Sequence, residues 1–329
     1  MTTNKIVVTY PIHAPVLDHL QSFGQVVMNP GPAPWSTEVL THHLADADAM
    51  MAFMPDRMDR EMLAQAPRLR TIACALKGYD NFDLQACAER GVSVTFVPDL
   101  LTEPTAELAV GLAIAAARHV MAGDAVVRQG FEGWRPALYG TGLHGSVVSV
   151  IGLGAVGRAI VDRLQGFGCK ELLGVDPSHH DDRVRRVDLR EALQRSDYVI
   201  LAVPLLPSTR HLINNQALQS SKPGQILVNI GRGSVVDEQA IAQRLTSGML
   251  GAYAADVFEL EDWLLADRPR VVHPDLLRSK STVFTPHLGS AVARVRLAIE
   301  WRAAENLLGA LDSSLPEGRA FGRDGSFLV

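Results

Sequence analysis

Hydrophobic positions along the chain fall into short β-branched runs separated by longer stretches with helical spacing. KIVVTY is followed by VLDHLQSF, ADAMMAF by DREMLAQAP, and LRTIACAL by FDLQACAERG before VSVTFV. Apolar runs of about four to eight residues read as buried strands, and their alternation with helical segments predicts a parallel sheet. Two prolines in VPDLLTEPT mark a crossing into a second domain. The helix expected from Ala106 to Val120 carries small residues on several faces and can pack closely all round. QGFEGWRPALYGTGLHG is rich in Gly and aromatics but lacks periodicity, which predicts a projecting arm. The β-α pattern then restarts. VVSVIG, LLGVD, YVILAVP, QILVNIG, YAADVF and TVFTP are strand candidates for a second sheet, and SAVARVRLAIEWRAAENLLGAL reads as a long amphipathic helix. The expected fold is α/β, with two doubly wound parallel-sheet, Rossmann-like domains. SSLPEGRAFGRDGSFLV reads as a loosely held tail.

Composition narrows the function classes. At 329 residues, the chain is longer than one core usually organises. A net charge of −5 argues against a partner with a phosphate backbone, so nucleic acid is not expected. The longest greasy run, Leu108 to Ala117, lies between Glu107 and Arg118 and falls short of the roughly 18 to 20 residues a membrane span needs. No basic segment followed by an apolar stretch opens the chain, and a soluble cytoplasmic protein is expected. Cys74, Cys87 and Cys169 are odd in number and show no C-x-x-C spacing, which points away from a disulfide framework and from zinc. The His42-His43 pair and the HHDD run from His179 to Asp182 are read as loop residues that do not converge, so no metal is expected.

The most specific local motif is Gly152-Leu-Gly154-Ala155-Val156-Gly157, placed directly after a predicted strand and opening a predicted helix. Glycines there permit a tight turn and a close approach of backbone to a pyrophosphate at the helix N-terminus. Asp176 closes the next strand about 20 residues on, where a carboxylate accepts ribose hydroxyls and repels a 2′-phosphate. This favours NAD, while Arg183, Arg185 and Arg186 leave NADP open. Farther on, Arg232, Glu261 and His287 each stand at the end of a predicted strand, where ligands bind in open α/β sheets. A carboxylate paired with a histidine orients the imidazole for acid-base work beside a hydride acceptor. Singly, each residue also fits a bland role: a turn, a surface charge, a helix cap.

The order G-L-G-A-V-G, Asp176, N-I-G-R-G-S-V-V-D-E, A-A-D-V-F and P-H-L-G-S resembles the D-2-hydroxyacid dehydrogenase superfamily over nearly the whole chain. The resemblance implies a substrate domain of residues 1–101 plus 290–329 and a cofactor domain of 102–289, with the active site in the cleft between them. Within that superfamily, MMAFMPDRMD, ALKGYDNFD, FVPDLLTEPTAEL, GWRPALYGTGL, DVFELEDW with ADRPR, and FTPHLGSAVARVRLAIE resemble the phosphite (phosphonate) dehydrogenases. Lys77 stands where many 2-hydroxyacid relatives carry a small residue.

On that resemblance the substrate is a small inorganic oxyanion, phosphite, oxidised to phosphate with hydride transfer to NAD. It places Arg232, Glu261, His287, Lys77 and Arg296 in the catalytic set and Met54, Gly78, Leu101, Trp134 and Tyr139 around the substrate. Pro177, Pro204, Thr209, Ile230, Asp256, Gly289 and Thr105 join the glycine motif and Asp176 on the cofactor. Whether His287 or Arg296 activates the attacking water stays open. It further implies a homodimer, with an arm near 125–145 reaching the neighbouring subunit. Two departures fall on the cofactor side: GCKELLGVDPS is a residue longer than the phosphite pattern, and Ile-Gly precedes Arg232. The alternatives are a D-2-hydroxyacid dehydrogenase acting on a small (di)carboxylate and a non-enzymatic NAD-sensing regulator of the same fold.

Overall fold

A computed structural model describes residues 4–133 and 138–312. The chain divides into two compact units: Met1–Leu101 with Trp263–Ala266 and Val292–Val329, and Thr102–Asp262 with Asp267–Ala291. Trp263–Ala266 groups with the first unit, whereas the sequence reading placed that stretch in the second.

The first unit is a five-stranded parallel sheet. Along the chain it runs β1 (Asn4–Val8), α1 (Ala14–Gln21), β2 (Gly24–Met28), α2 (Thr37–Leu44), β3 (Ala49–Ala52), α3 (Arg60–Ala64), β4 (Thr71–Cys74), α4 (Leu84–Glu89) and β5 (Ser93–Thr95). The strand order β2-β1-β3-β4-β5 reverses between β1 and β3. Alternate strand residues face opposite sides, so each side gathers its own core. Val7, Met50, Ile72 and Val94 pack with Met62, Leu63 and Cys87 of α3 and α4. Ile6, Val8, Met51 and Ala73 pack instead with Val16 and Leu20 of α1 and with Ile299, Ala303 and Leu307 from the returning C-terminal helix. Side-chain caps start the short helices: Asp59 accepts the Met62 N–H at 2.9 Å, and Asp83 accepts that of Ala86 at 2.9 Å.

The second unit opens with α5 (Thr102–Ala117) and α6 (Val120–Arg128). It continues through β6 (Val147–Ile151), α7 (Ala155–Leu164), β7 (Glu171–Val175), β8 (Arg185–Arg186), α8 (Leu189–Arg195), β9 (Tyr198–Leu201) and α9 (Asn215–Leu218). It closes with β10 (Gln225–Asn229), α10 (Glu238–Thr246), β11 (Leu250–Ala255), α11 (Pro274–Arg278) and β12 (Thr282–Phe284), after which α12 (Ala293–Leu311) returns to the first unit. Its seven-stranded parallel sheet has the order β12-β11-β10-β9-β6-β7-β8, reversing between β6 and β9. One face packs Val148, Val150 and Ile200 against α5 and α7, and the other packs Val199, Leu201 and Leu227 against Ala192, Leu193 and Ile241 of α8 and α10. The small residues of α5 serve this packing: Ala106, Ala109, Ala113 and Ala116 are all buried.

Two parallel sheets bear out the expected α/β class. Several elements differ from the sequence reading. β2 and the two-residue β8 were not expected. GQVVM lies at a sheet edge with only partial burial, and β8 is too short to leave a periodic signature. His42 and His43 belong to helix α2 rather than to a loop, His43 stacking on Trp35 with ring centroids 4.6 Å apart. Among the described residues no single helix is long and apolar enough to cross a membrane.

Candidate active site

The glycine motif forms the connection between β6 and α7, at the reversal point of the larger sheet. Gly152 takes φ 95°, a left-handed conformation natural to glycine, and a Cβ there would lie 2.8 Å from the Ala202 carbonyl oxygen. A Cβ at Gly157 would come within 1.8 Å of the Gly152 carbonyl oxygen, so the helix can pack down on the turn only because that position lacks a side chain. Gly154 caps the helix that Ala155 and Val156 begin, and its backbone N–H groups face the space just beyond β6. These features fit a dinucleotide pyrophosphate.

Asp176 follows β7. One carboxylate oxygen accepts the Leu153 N–H at 2.7 Å, and the other accepts those of Ser178 and His179 at 2.8 Å each. Burial alone pushes this acid up, but the N–H donors outweigh it and hold Asp176 below the ordinary carboxylate range. Of the nearby arginines, Arg183 pairs with Asp181 and Asp162, and Arg185 with Glu171 and Glu191. Arg186 donates to the backbone carbonyls of Asp176 and Pro177 at 3.0 and 3.1 Å, which ties it to the turn after β7. Past β9, Pro204 is exposed, and its carbonyl accepts the Thr209 hydroxyl at 2.6 Å.

Beyond the carboxyl ends of β10, β11 and β12 the chain assembles an acid-base pair. His287 Nδ1 lies 2.6 Å from Glu261 Oε2, and the other Glu261 oxygen accepts the Phe258 N–H at 2.8 Å. His287 adopts φ 56°, an uncommon left-handed conformation for a residue with a side chain, and its own N–H donates to the Asp256 carbonyl at 2.9 Å. The buried Asp256 carboxylate explains how this backbone is held. It accepts the Thr285 hydroxyl at 2.5 Å and the N–H groups of Leu288 and Gly289 at 2.6 and 2.8 Å. Burial pushes this acid up. Asp256, expected on the cofactor, is engaged here with the histidine loop. Gly289 lies against Thr105 of α5, where a Cβ would meet its hydroxyl at 3.0 Å.

Buried Ile230 follows β10 directly and half-buried Arg232 stands two residues on; its guanidinium donates to the Gly231 carbonyl at 2.8 Å. The next residue sets how close the two loops come. A Cβ on Gly233 would sit 1.9 Å from the Phe258 carbonyl carbon, so the turns Gly233–Val235 and Glu259–Glu261 lie backbone to backbone. The buried Asp262 ties them further, accepting the Ser234 N–H at 2.8 Å. Sequence reasoning passed over Gly233 and Asp262, and Asp262 is hidden because it sits among other acids and pairs with a distant backbone.

In the first unit, half-buried Lys77 and Gly78 follow β4 and half-buried Met54 follows β3. Arg296, on α12, sits 5.7 Å from the centroid of the Phe53 ring and donates to the Ala75 carbonyl at 3.3 Å. Burial lowers its affinity for its proton. Lys77 and Arg296 thus attach to the same end of β4. Leu101 packs with the core that α12 covers. Tyr139 is 79 % exposed, and Trp134 lies outside the described residues. Val120, Met121, Val126 and Val127 of α6 also stand exposed.

A doubly wound sheet with a glycine turn at its reversal point, an acid after the second strand and a His-Glu pair beyond the far strands defines a dinucleotide-dependent oxidoreductase. Residues 110–289 match the model of the D-isomer specific 2-hydroxyacid dehydrogenase, NAD binding domain. The chain is 36 % identical to a glyoxylate reductase from Pyrococcus horikoshii, over 85 % of this chain and 84 % of that one. Among solved structures it is similar to the TT0316 protein from Thermus thermophilus, at 32 % identity with a TM-score of 0.86, covering 96 % of this chain and 99 % of that one. A second is an NADPH-dependent glyoxylate/hydroxypyruvate reductase from Sinorhizobium meliloti, at 26 % identity with a TM-score of 0.85, covering 100 % and 99 %. The chain belongs to the D-isomer specific 2-hydroxyacid dehydrogenase family.

Proposed function

We propose that the protein reduces a small 2-oxo acid to the corresponding 2-hydroxy acid, with glyoxylate the first substrate to test. The observation that carries this reading is the His287–Glu261 pair, joined to relatives named glyoxylate reductase. The nicotinamide, when bound, supplies the hydride that reaches C2 of the oxo acid. With Nδ1 committed to Glu261, His287 is left with Nε2 to give a proton to the carbonyl oxygen, and glyoxylate becomes glycolate. Glu261 stabilises the imidazolium from which that proton departs. Arg232 holds the substrate carboxylate by charge-assisted hydrogen bonds. NAD is the proposed cofactor, since the charge of Asp176 opposes a 2′-phosphate. NADH-dependent consumption of glyoxylate, lost in His287→Asn, is the test.

Oxidation of phosphite is the second reading, supported by Lys77 and Arg296 at one end of β4 and by the segments that resemble those of phosphite dehydrogenases. Phosphite near neutral pH is largely a dianion, and a second or third cation offsets the added charge. In that reaction water attacks phosphorus, a P–O bond forms, the P–H bond breaks with its hydride leaving for the nicotinamide, and His287 takes the proton from water. NAD with phosphite as sole donor gives NADH on this reading only, and Lys77→Ala is expected to abolish it. Association through the exposed face of α6 is proposed as well, with a homodimer the default closed arrangement.

A further inference from the structure

Two acids outside the catalytic pair, one buried and one half-buried, clasp the turn that carries Glu261. Glu238, 4 % exposed, is the first residue of α10, and Glu259 begins the turn Glu259–Glu261. Each side chain accepts the other's backbone N–H: Glu238 N–H donates to Glu259 Oε1 at 2.8 Å, and Glu259 N–H donates to Glu238 Oε1 at 3.0 Å. The remaining oxygen of Glu238 accepts the His273 N–H at 2.9 Å. His211, itself at φ 47°, donates its N–H to the Ser234 carbonyl at 2.7 Å, and its Nε2 stands 3.5 Å from Glu259 Oε1, within ion-pair reach. Burial pushes both acids up, and the titratable groups that face them are Glu261, Asp237, His211 and His273.

Such an arrangement is costly for a surface turn and needs a reason. Buried carboxylates lose hydration, and two brought together also repel. What they secure is the position of a backbone segment with only one further turn of chain before Glu261. We infer that Glu238 and Glu259 are positioning residues for the acid-base pair, fixing Glu261 so that its carboxylate meets His287 Nδ1. The inference rests on the proposed role of that pair in hydride transfer.

The test compares Glu259→Gln, which keeps an oxygen to accept the Glu238 N–H, with Glu259→Ala, which does not, in the full chain. Two readouts are taken. The first is kcat and KM with the better of glyoxylate and phosphite. The second is the ring nitrogen signature of His287 by NMR, assigned from its absence in His287→Asn. Glu259→Ala is expected to lower kcat about a hundredfold through misplacement of the pair, with KM for the nicotinamide nearly unchanged. It is also expected to move the His287 signature, while Glu259→Gln restores both. Should Glu259→Ala melt below the assay temperature, Glu259→Asp, too short to reach across, takes its place with the same expectation. A fall in kcat with the His287 signature unmoved overturns the inference, as does equal damage from Gln and Ala. If wild type turns over neither substrate but the signature still responds to Ala and not to Gln, the clasp stands and the proposed reaction fails.

Discussion

The buried acid Asp56 offers a quantitative check on the first unit. It lies beyond β3, where the strand order reverses beside β1, and is 8 % exposed. The Phe53 N–H at 2.7 Å and the Thr9 hydroxyl both donate to the same oxygen, Oδ2. Burial outweighs these donors and pushes the acid up to about 6. A carboxyl whose folded pKa is raised contributes stability that is full below the unfolded value, near 3.8, and is lost as pH rises through about 6. The shift is about two units, so ionisation at neutral pH costs the folded state on the order of 3 kcal/mol. Asn at this position can place its carbonyl oxygen where Oδ2 stands and keep both accepted bonds. Asp56→Asn should therefore stabilise the protein by roughly 1–3 kcal/mol at about pH 8, the lower bound allowing for its amide N–H₂. The gain should shrink toward zero near pH 4. Urea unfolding of both proteins across that pH range measures it. An Asn variant no more stable than wild type at high pH, or a difference that does not change with pH, would refute the reasoning.

Three further outcomes follow from the geometry. Gly233→Ala drives a methyl into the Phe258 carbonyl, and thermal melts should show a loss of about 1–3 kcal/mol or more together with loss of turnover. Gly157→Ala forces α7 off the glycine turn, so NADH titrations followed by fluorescence should show affinity reduced about tenfold or more, with helicity by circular dichroism retained. Burial pushes the Cys87 thiol up to about 12 and that of Cys74 well above its usual value, so at neutral pH an aromatic disulfide reagent should modify half-buried Cys169 first and leave the other two until the protein unfolds.

Much of the fold was legible because its signals are local. VVSVI, YVIL and QILVN are apolar on both faces, as strands covered on both sides must be, and the glycines of the first turn sit a few residues apart. β2 escaped because an edge strand need not be apolar on both faces, and α2 escaped because TEVLTHHL starts from the Ser36 cap rather than from strong periodicity. In the site, strand-end positions made Arg232, Glu261 and His287 visible one by one. The groups that hold them were not. Glu238, Glu259 and Asp262 work by accepting backbone N–H groups from segments far away in sequence, and an acid in such a role looks the same on paper as a solvated one. Asp256 was visible as a residue, but its engagement with Thr285, Leu288 and Gly289 depends on a positive φ at His287 that no pattern announces.

The most direct measurement of the central claim is the change in nicotinamide absorbance with purified protein, NADH and glyoxylate, run beside NAD with phosphite and beside His287→Asn under both conditions. The account predicts turnover of a small anionic substrate that falls by roughly 10²–10⁴ in the variant, as removal of a general acid-base group should cause. Turnover of neither substrate, or a His287→Asn protein as active as wild type, would contradict it.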